Sequence, residues 1–525
     1  MTTTYQNTTD THPFLPQQKL FKAYDIRGET HLFCDDFLWA LANVFAKRYR
    51  LVTDSVVIGY DVRQHSETIA KFLAAACYQQ GLSVHWLGQV TTPIMAFLAN
   101  QATGNGLMVT ASHSKKDIHG IKWLINRESP SSQDIQDLFV QLGTIPKTIF
   151  SPKLLSKINN IYQKINHIDN GFTQYQQGIT QAFANIYQQN YVEIFNNKPK
   201  PTIVIDCMNG ATANFAKQLF GKFGYHCIML NATPNPNFPK GNPDPCEAGR
   251  LDELSQAVCT HKADMGLAFD GDGDRLMIVS SKGNMVSPDH LLYLLAKIAI
   301  DERPQKSNIT QHQPLEIIFD VKCSHHLPRL IANQGAVPIM EKTGSSLMRK
   351  SLQNQSRKSL FAGELSGHFL FNDGYFLLHD DAIYAGLRLL NWLTFQPNNL
   401  TQILENLPKS ISTADMYLPL HNAEHGQKLL KNLLNLSKKP FFFLKQRFHI
   451  KNIATIDGLR LDFGFGFGIL RQSNTGNFLT VRFCADSMAE LQQVQRVFVG
   501  LCQVIDDDPQ HTIAKQIANI QPILA

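Results

Sequence analysis

The chain has 525 residues and a formal net charge of +6, and this length predicts about three or four domains rather than one core. It contains no apolar run near the ~20 residues of a membrane span, and residues 1–10 lack the basic and apolar parts of a secretory signal. Nine scattered cysteines without a C-x-x-C pair argue against a disulfide framework or a zinc site, and the modest charge argues against a nucleic-acid binder. We therefore expect a cytoplasmic protein without nucleic-acid or membrane partners.

Three segments of the chain share one order of features. Each begins with an apolar run that ends in aspartate, continues through a helix-length stretch to a glycine, and resumes in a second apolar run. The aspartates are Asp61, Asp206 and Asp320, and the glycines that follow them by 20, 18 and 15 residues are Gly81, Gly224 and Gly335. Such runs are typical of buried parallel strands joined by a crossover helix. The pattern predicts three successive, similar α/β domains with mixed sheets.

A third apolar run in each segment leads into a small polar loop. The loops are residues 110–113 (TASH), 270–274 (DGDGD) and 363–368 (GELSGH). Ligands of open α/β sheets bind outside the carboxyl ends of the strands. We therefore expect these three loops to carry the chemistry.

The acidic loop is the most specific of the three. Asp270, Asp272 and Asp274 alternate with glycines and precede Arg275. Alternating carboxylates on a tight loop turn several oxygens toward one hard divalent cation, and an adjacent arginine binds a phosphate oxygen. A solvated acidic turn is the alternative, because Asp-Gly pairs are common in turns. The pattern favours phosphoryl chemistry beside a metal.

The serine loop has the groups of a covalent phosphate carrier. Ser112 is followed by His113, and Lys122 comes ten residues after the serine. A histidine and a lysine supply proton transfer and positive charge to a phosphorylated serine. An ordinary serine turn with basic neighbours fits the same residues.

Two further loops indicate recognition of a sugar and of an anion. Glu364, Ser366 and His368 could hydrogen-bond sugar hydroxyls, with a polar turn as the alternative. Residues 471–476 (RQSNTG) could form an anion-binding nest, with a hairpin turn as the alternative. Three single cationic residues complete the set of candidate functional residues. Arg27 lies in a turn before a helix, and Lys322 and Lys342 follow two strands of the third segment.

The end of the chain departs from the repeat. We predict strands at 454–456, 459–463 and 479–483 and a helix from 488 to about 504, and the Gln/Asn-rich segment 129–200 has helical spacing. The predicted domains are a flexible tail 1–20, α/β domains 21–170, 171–282 and 283–407, and a smaller α+β domain 408–525.

Taken in order, these motifs resemble the α-D-phosphohexomutase family, specifically its bacterial phosphomannomutase/phosphoglucomutase branch. The resemblance extends from about residue 21 to residue 506. The matching stretches are FKAYDIRG (21–28), GLMVTASHSKKDIHGIKW (106–123), AFDGDGDR (268–275), IIFDVKC (317–323), KTGSS (342–346), AGELSGHFLF (362–371), TIDGLRLD (455–462) and RQSNT (471–475).

The resemblance implies four domains around a central active-site cleft and transfer of phosphate between O6 and O1 of mannose or glucose. The reaction would pass through a hexose 1,6-bisphosphate, which is also the activator, in a monomer or weak homo-oligomer. Ser112 would be the phosphoserine, and one Mg²⁺ would be held by it with Asp270, Asp272 and Asp274. The other implied catalytic residues are His113, Lys122, Arg27 and Arg275. The implied substrate-binding residues are Tyr24, Lys322, Lys342, Ser345, Glu364, Ser366, His368, Arg471, Ser473, Asn474 and Thr475.

Several positions depart from the family pattern. Ser114-Lys115 replaces the usual Asn-Pro, His119 replaces asparagine, Ser345 replaces a histidine after KTG, and Gly476-Asn477 replaces Thr-Pro. We expect from them a more mobile serine loop or added charge at Lys115, and lower turnover. There are three alternatives: a phosphoglucosamine mutase, a phosphosugar-binding protein without turnover, and a bisphosphate-dependent phosphatase. The phosphoglucosamine branch usually has Glu-Gln-Ser-Gly-His where this chain has GELSGH.

Overall fold

The computed structural model describes residues 12–145, 152–187, 198–304, 314–420, 423–438, 450–472, 478–505 and 512–523. Its strands are β1 Ile26–Glu29, β2 Ser55–Tyr60, β3 Ser83–Gln89, β4 Gly106–Val109, β5 Ile118–Leu124, β6 Asn166–His167, β7 Thr202–Asp206, β8 His226–Leu230, β9 Met265–Phe269, β10 Leu276–Ser280, β11 Glu316–Asp320, β12 Val337–Glu341, β13 Ser359–Gly363, β14 Phe369–Phe371, β15 Ile411–Thr413, β16 Met416–Pro419, β17 Asn452–Ala454, β18 Leu459–Asp462, β19 Gly466–Gln472, β20 Phe478–Ala485 and β21 Pro522–Ile523.

Helices connect and cover these strands. The α-helices are Asp35–Arg50, Ser66–Gln79, Thr92–Gln101, Ser132–Leu142, Pro152–Tyr162, Gly171–Tyr187, Ala216–Lys222, Asp252–His261, Pro288–Asp301, Leu327–Asn333, Ser345–Leu352, Ala382–Thr394, Leu400–Glu405, Ala423–Lys438, Met488–Ile505 and Thr512–Ala518. Among the helices that the structure describes, none combines the length and the apolar composition that a membrane span requires.

Two compact units divide the chain. The first contains Met1–Gly283 and Gly367–Gln396, and the second contains Asn284–Ser366 and Pro397–Ala525. The segment Gly367–Gln396 therefore packs with the first unit, whereas the sequence assigned it to the domain 283–407. Its helix Ala382–Thr394 contacts β9 and β10, far away along the chain, and no local sequence pattern encodes such a contact.

The three repeated segments fold in the same way. Their sheets have the orders β3-β2-β4, β8-β7-β9 and β12-β11-β13, so that the first strand of each segment lies between the second and the third. All of these pairings are parallel. In the first two sheets an antiparallel strand follows, β5 beside β4 and β10 beside β9. The predicted fold of three successive α/β domains is confirmed.

The three repeated aspartates make the same turn at the carboxyl end of the first strand. Each carboxylate accepts a hydrogen bond from the backbone N–H two residues further on, at 3.0 Å for Asp61, 2.8 Å for Asp206 and 2.7 Å for Asp320. Such Asx turns reverse the chain without a long loop. The buried aspartates therefore shape the sheet edge where the polar loops lie.

The first sheet extends beyond the repeated strands on both sides. Strand β1 pairs antiparallel with β5, so Arg27 lies on a strand rather than in the predicted turn. Residues 15–20 form a 3-10 helix, and Phe14 and Leu20, 2% and 0% exposed, belong to the first core. This part of the predicted tail 1–20 is therefore packed, because its apolar residues have a core to bury in.

The C-terminal domain has a sheet with the strand order β17-β18-β19-β20-β15-β21. The predicted helix at 488–504 is present as Met488–Ile505. The predicted strand 454–456 is wrong in position, since β17 ends at Ala454 and a turn follows with Gly458 at a φ of +88°. The sequence did not predict β15, β16, β19 and β21, which are short or lie beside glycines.

Candidate active site

The serine loop presents Ser112 in an unusual backbone conformation. Ser112 follows β4, has a φ of 51° and is only 2% exposed. The left-handed region is uncommon outside glycine, and such strain is typical of functional sites. The hydroxyl of Thr110 accepts the backbone N–H of Ser112 at 2.9 Å and helps to hold this conformation.

A buried arginine that the sequence analysis did not single out supports this loop. Arg63 donates to the carbonyl oxygens of Ser112 at 2.7 Å, Ser114 at 2.6 Å, Lys115 at 2.6 Å and Ile118 at 3.1 Å. Its Nε also donates to the Asp61 carboxylate at 3.1 Å. The signal was present in the sequence, because Arg63 stands two residues after the repeated aspartate.

The acidic loop is folded around Asp270. Its Oδ1 accepts the backbone N–H groups of Gly273, Asp274 and Arg275 at 3.0, 3.1 and 3.2 Å. Its Oδ2 accepts the hydroxyl proton of Ser112 at 2.5 Å. The predicted phosphate carrier and the predicted metal loop therefore touch directly.

A glycine allows this close approach. A Cβ atom added at Gly271 would lie 2.5 Å from the carbonyl oxygen of Ser112, a backbone atom that cannot move aside on its own. Gly273 adopts a φ of +79°, which favours glycine. The alternation of Asp and Gly therefore has a steric cause at both glycines.

The three carboxylates of the acidic loop converge. One oxygen from each of Asp270, Asp272 and Asp274 lies within 4.8 Å of the others, and all three residues are buried. Oδ1 of Asp272 and Oδ1 of Asp274 are buried without a hydrogen-bond partner among the described residues. Buried carboxylate oxygens need a cation or a donor, so this donor set fits a hard divalent ion.

The ammonium group of Lys122, on β5, is one cation that already lies beside these carboxylates. Its Nζ lies 2.8 Å from Oδ2 of Asp272 and 2.5 Å from Oδ2 of Asp274. Burial alone would lower the pKa of Lys122, but the two carboxylates outweigh it and raise this pKa. Burial likewise opposes ionisation of Asp272, but Lys122 outweighs it and lowers the pKa of Asp272.

Asp270 behaves differently from Asp272. Burial raises the pKa of Asp270, and the negative charges of Asp274 and Asp272 raise it further. One loop thus holds carboxylates whose pKa values are pushed in opposite directions. A divalent cation would relieve the repulsion that raises the pKa of Asp270.

His113 lies at the other side of the Ser112 hydroxyl. Its Nδ1 is 3.2 Å from Oγ of Ser112. Burial lowers the pKa of His113 well below its usual value, and the nearby charges of Arg275 and Arg27 lower it further. The imidazole is therefore neutral at neutral pH.

The structure brings Arg275 and His368 together. Nε of Arg275 donates to Nε2 of His368 at 3.0 Å, and Nδ1 of His368 lies 2.9 Å from Asp380. Nδ1 is also 3.7 Å from Asp274. His368, predicted to bind the sugar together with Glu364, thus contacts the arginine of the acidic loop.

Arg27 and Tyr24 lie at the edge of the first sheet. Arg27 pairs with Asp25 at 2.5 Å and donates to Oγ of Ser114 at 3.3 Å, so it reaches the serine loop. Tyr24 is partly buried just before β1, and its binding role stays a prediction.

In the second unit, Glu364 is 2% exposed and organises the sugar-binding loop. It accepts the backbone N–H of Gly344 and, at 3.0 Å, the hydroxyl of Ser366. The residue after Gly344, Ser345, begins the helix Ser345–Leu352, and Lys342 is exposed before it. The KTG and GELSGH motifs therefore meet through Glu364.

Two predicted phosphate-binding cations of the second unit have acidic partners. Nζ of Lys322 lies 2.6 Å from Asp415, and Nε of Arg471 donates to Asp457 at 2.8 Å. Arg471 is on β19 rather than in the predicted turn. The predicted ligands Ser473, Asn474 and Thr475 lie outside the described residues.

Comparisons with known proteins agree with the motifs. Models of the "Phosphoglucomutase/phosphomannomutase" α/β/α domains I, II and III match residues 18–141, 177–283 and 287–411. A phosphomannomutase/phosphoglucomutase of Pseudomonas syringae is 33% identical over 93% of this chain and 95% of its own length. A phosphoglucomutase of Neisseria gonorrhoeae is 32% identical over 93% and 97%.

Solved structures show the same architecture. A phosphoglucomutase/phosphomannomutase family protein of Burkholderia thailandensis has a TM-score of 0.75 and 27% identity, covering 94% of this chain and 98% of that one. A crystal structure from Thermus thermophilus, at 18% identity and a TM-score of 0.71, has the same fold. From the three domain models and the relatives matched over nearly their full length, the chain belongs to the phosphoglucomutase/phosphomannomutase family, a bacterial branch of the α-D-phosphohexomutases.

Proposed function

We propose that this chain is an isomerase that moves a phosphoryl group between O6 and O1 of mannose or glucose, with Ser112 as the phosphoryl carrier. Family membership supports hexose-phosphate interconversion. The observation that carries the assignment to Ser112 is its hydroxyl, which donates to Asp270 at 2.5 Å within the cluster of three carboxylates. An ordinary turn does not require a buried serine with a strained backbone conformation beside three carboxylates.

Asp270, Asp272 and Asp274 would hold one Mg²⁺, with an oxygen of phosphorylated Ser112 as a further ligand. Oxygen donors alone suit this ion, and the two unpartnered carboxylate oxygens are available for it. When bound, Mg²⁺ neutralises charge on the phosphoryl group. Lys122, Arg275 and Arg27 would add positive charge on the protein side.

His113 and Asp270 would handle the serine proton. When Ser112 receives the phosphoryl group, its hydroxyl proton must leave, and both groups lie within 3.2 Å of Oγ. His113 is neutral because burial and cationic neighbours lower its pKa. We assign it the role of proton acceptor on return of the phosphoryl group, and of donor in the reverse step.

The second unit would recognise the phosphosugar. The Glu364 carboxylate, fixed by Gly344 and Ser366, is suited to two vicinal hydroxyls, and Arg471 and Lys322 are suited to a phosphate. Both cations now pair with aspartates, so a bound phosphate would have to displace Asp457 and Asp415 as partners. The bisphosphate would turn over before it returns phosphate to Ser112, and it would serve as the activator.

Coupled assays with mannose 1-phosphate, glucose 1-phosphate and glucosamine 1-phosphate test the substrate. We expect turnover of the first two, activated by hexose 1,6-bisphosphate. Clear preference for glucosamine 1-phosphate would overturn the substrate assignment in favour of a phosphoglucosamine mutase. Tight binding without turnover, or release of free phosphate without isomerised product, would instead support a binding protein or a phosphatase.

A further inference from the structure

A second cluster of metal-ligating side chains lies in the second unit, away from the aspartates of the acidic loop along the chain. His325 and His326 follow β11, and Asp486 follows β20. One ligand atom from each of the three residues lies within 4.8 Å of the others. The proposed reaction assigns these residues no role.

The Nε2 atoms of both imidazoles lie close to one carboxylate oxygen. Nε2 of His325 lies 2.9 Å and Nε2 of His326 lies 2.7 Å from Oδ1 of Asp486. Although it is so close, Nε2 of His326 is buried without a hydrogen bond of acceptable geometry to any described residue. Only His325 makes a hydrogen bond to this oxygen, so the three residues form a poor ion pair. Two imidazole nitrogens and a carboxylate oxygen this close together are a suitable set of metal ligands.

The two histidines are held in place. The two rings lie 4.1 Å apart between centroids, and the hydroxyl of Ser324 accepts the backbone N–H of His326. The side chains of His325 and His326 are 6% and 15% exposed, whereas Asp486 is 41% exposed and open to entry of an ion.

We propose that His325, His326 and Asp486 bind one divalent transition-metal ion of the zinc class. Two imidazoles and a carboxylate suit Zn²⁺, Ni²⁺ or Cu²⁺ and disfavour Mg²⁺. The lack of C-x-x-C pairs, which argued against zinc, does not bear on a site made of imidazoles. The ion would tie the turn after β11, which carries Lys322, to the end of β20 in the C-terminal sheet.

Zinc titration in the presence of excess Mg²⁺ tests the proposal on the full chain. We expect one equivalent of Zn²⁺ and a higher Tm, with at least tenfold weaker binding in Asp486→Asn and in His326→Gln. The control His261→Gln removes an exposed histidine of the first unit and should bind as the wild type does. Equal affinity in all four proteins, or no zinc bound in the wild type, would overturn the proposal.

Two further measurements distinguish zinc binding at this site from zinc binding at the acidic loop. Asp272→Asn should keep the zinc equivalent, and loss of that equivalent would assign the zinc to the acidic loop instead and contradict the proposal. Electron paramagnetic resonance with Cu²⁺ should show coupling to imidazole nitrogen that His326→Gln reduces. An unchanged spectrum in His326→Gln would also contradict it. The Tm of each variant without added metal checks folding, and the surface position of Asp486 makes Asp486→Asn the milder change.

Discussion

Arg63 donates a hydrogen bond to the backbone carbonyl of Lys115 at 2.6 Å and binds three other carbonyls of the serine loop. Lys115 stands where the family motif usually has proline. The loop lacks the local stiffness of proline, and a buried guanidinium fixes its carbonyls instead. Arg63 is thus a positioning residue for Ser112.

We expect Arg63→Lys to reduce kcat about 10- to 100-fold with a smaller change in KM. Lysine keeps the charge but lacks the planar fork that reaches several carbonyls at once. The matched control is Arg127→Lys, an exposed arginine that donates to Asn100. Steady-state kinetics measure both, and wild-type kcat in Arg63→Lys would contradict the positioning role.

Gly271→Ala should impair activity because its Cβ would meet the carbonyl oxygen of Ser112 at 2.5 Å. The serine and acidic loops would have to separate, at a cost of about 1–3 kcal/mol in the free energy of unfolding. Gly221→Ala is the control, since a Cβ there meets nothing within 4 Å. Activity and urea denaturation of both variants measure the effect, and full activity in Gly271→Ala would disprove the steric argument.

Asp272→Asn should lower activity by ~100-fold or more while the fold is retained, because the substitution removes one carboxylate from the cluster. Lys122 keeps its second partner, Asp274, at 2.5 Å, so the buried ammonium remains paired. Circular dichroism checks the fold, and the Mg²⁺ dependence of the rate checks the metal. Near-normal rates at low Mg²⁺ would count against metal binding by Asp272.

Asp381 should make stability fall as the pH rises toward neutrality. Burial raises the pKa of Asp381 to about 7, above the ~3.9 of an unfolded chain. Between these values the folded protein keeps a proton that the unfolded chain releases, so this contribution to stability is complete below pH ~4 and is lost as the pH rises through about 7.

Asp381→Asn removes this titration and keeps the helix N-cap, which asparagine also provides. We expect the variant to match the wild type near pH 4 and to exceed its free energy of unfolding at pH 8, on the order of a few kcal/mol. Calorimetry at both pH values measures the difference. The control Asp252→Asn removes an exposed carboxylate. An equal increase in the free energy of unfolding at pH 8 in this control would refute the explanation by burial.

The sequence predicted the three α/β repeats because their aspartates, glycines and apolar runs are local features. That Ser112 and Asp270 belong to one site was implied by the resemblance to the phosphohexomutase family. The sequence did not predict the role of Arg63, whose four acceptors lie about 50 residues along the chain, or the contact of His368 with Arg275. These contacts depend on tertiary packing, which the local pattern of apolar and polar residues does not predict.

Ser112 is the residue proposed to carry the phosphoryl group. Intact-mass analysis of the purified chain and of Ser112→Ala, before and after exposure to glucose 1,6-bisphosphate, tests this assignment. We expect one phosphoryl group on the wild type and none on Ser112→Ala, together with loss of bisphosphate-activated turnover. A phosphoryl group retained by Ser112→Ala, or unchanged turnover in that variant, would contradict the claim.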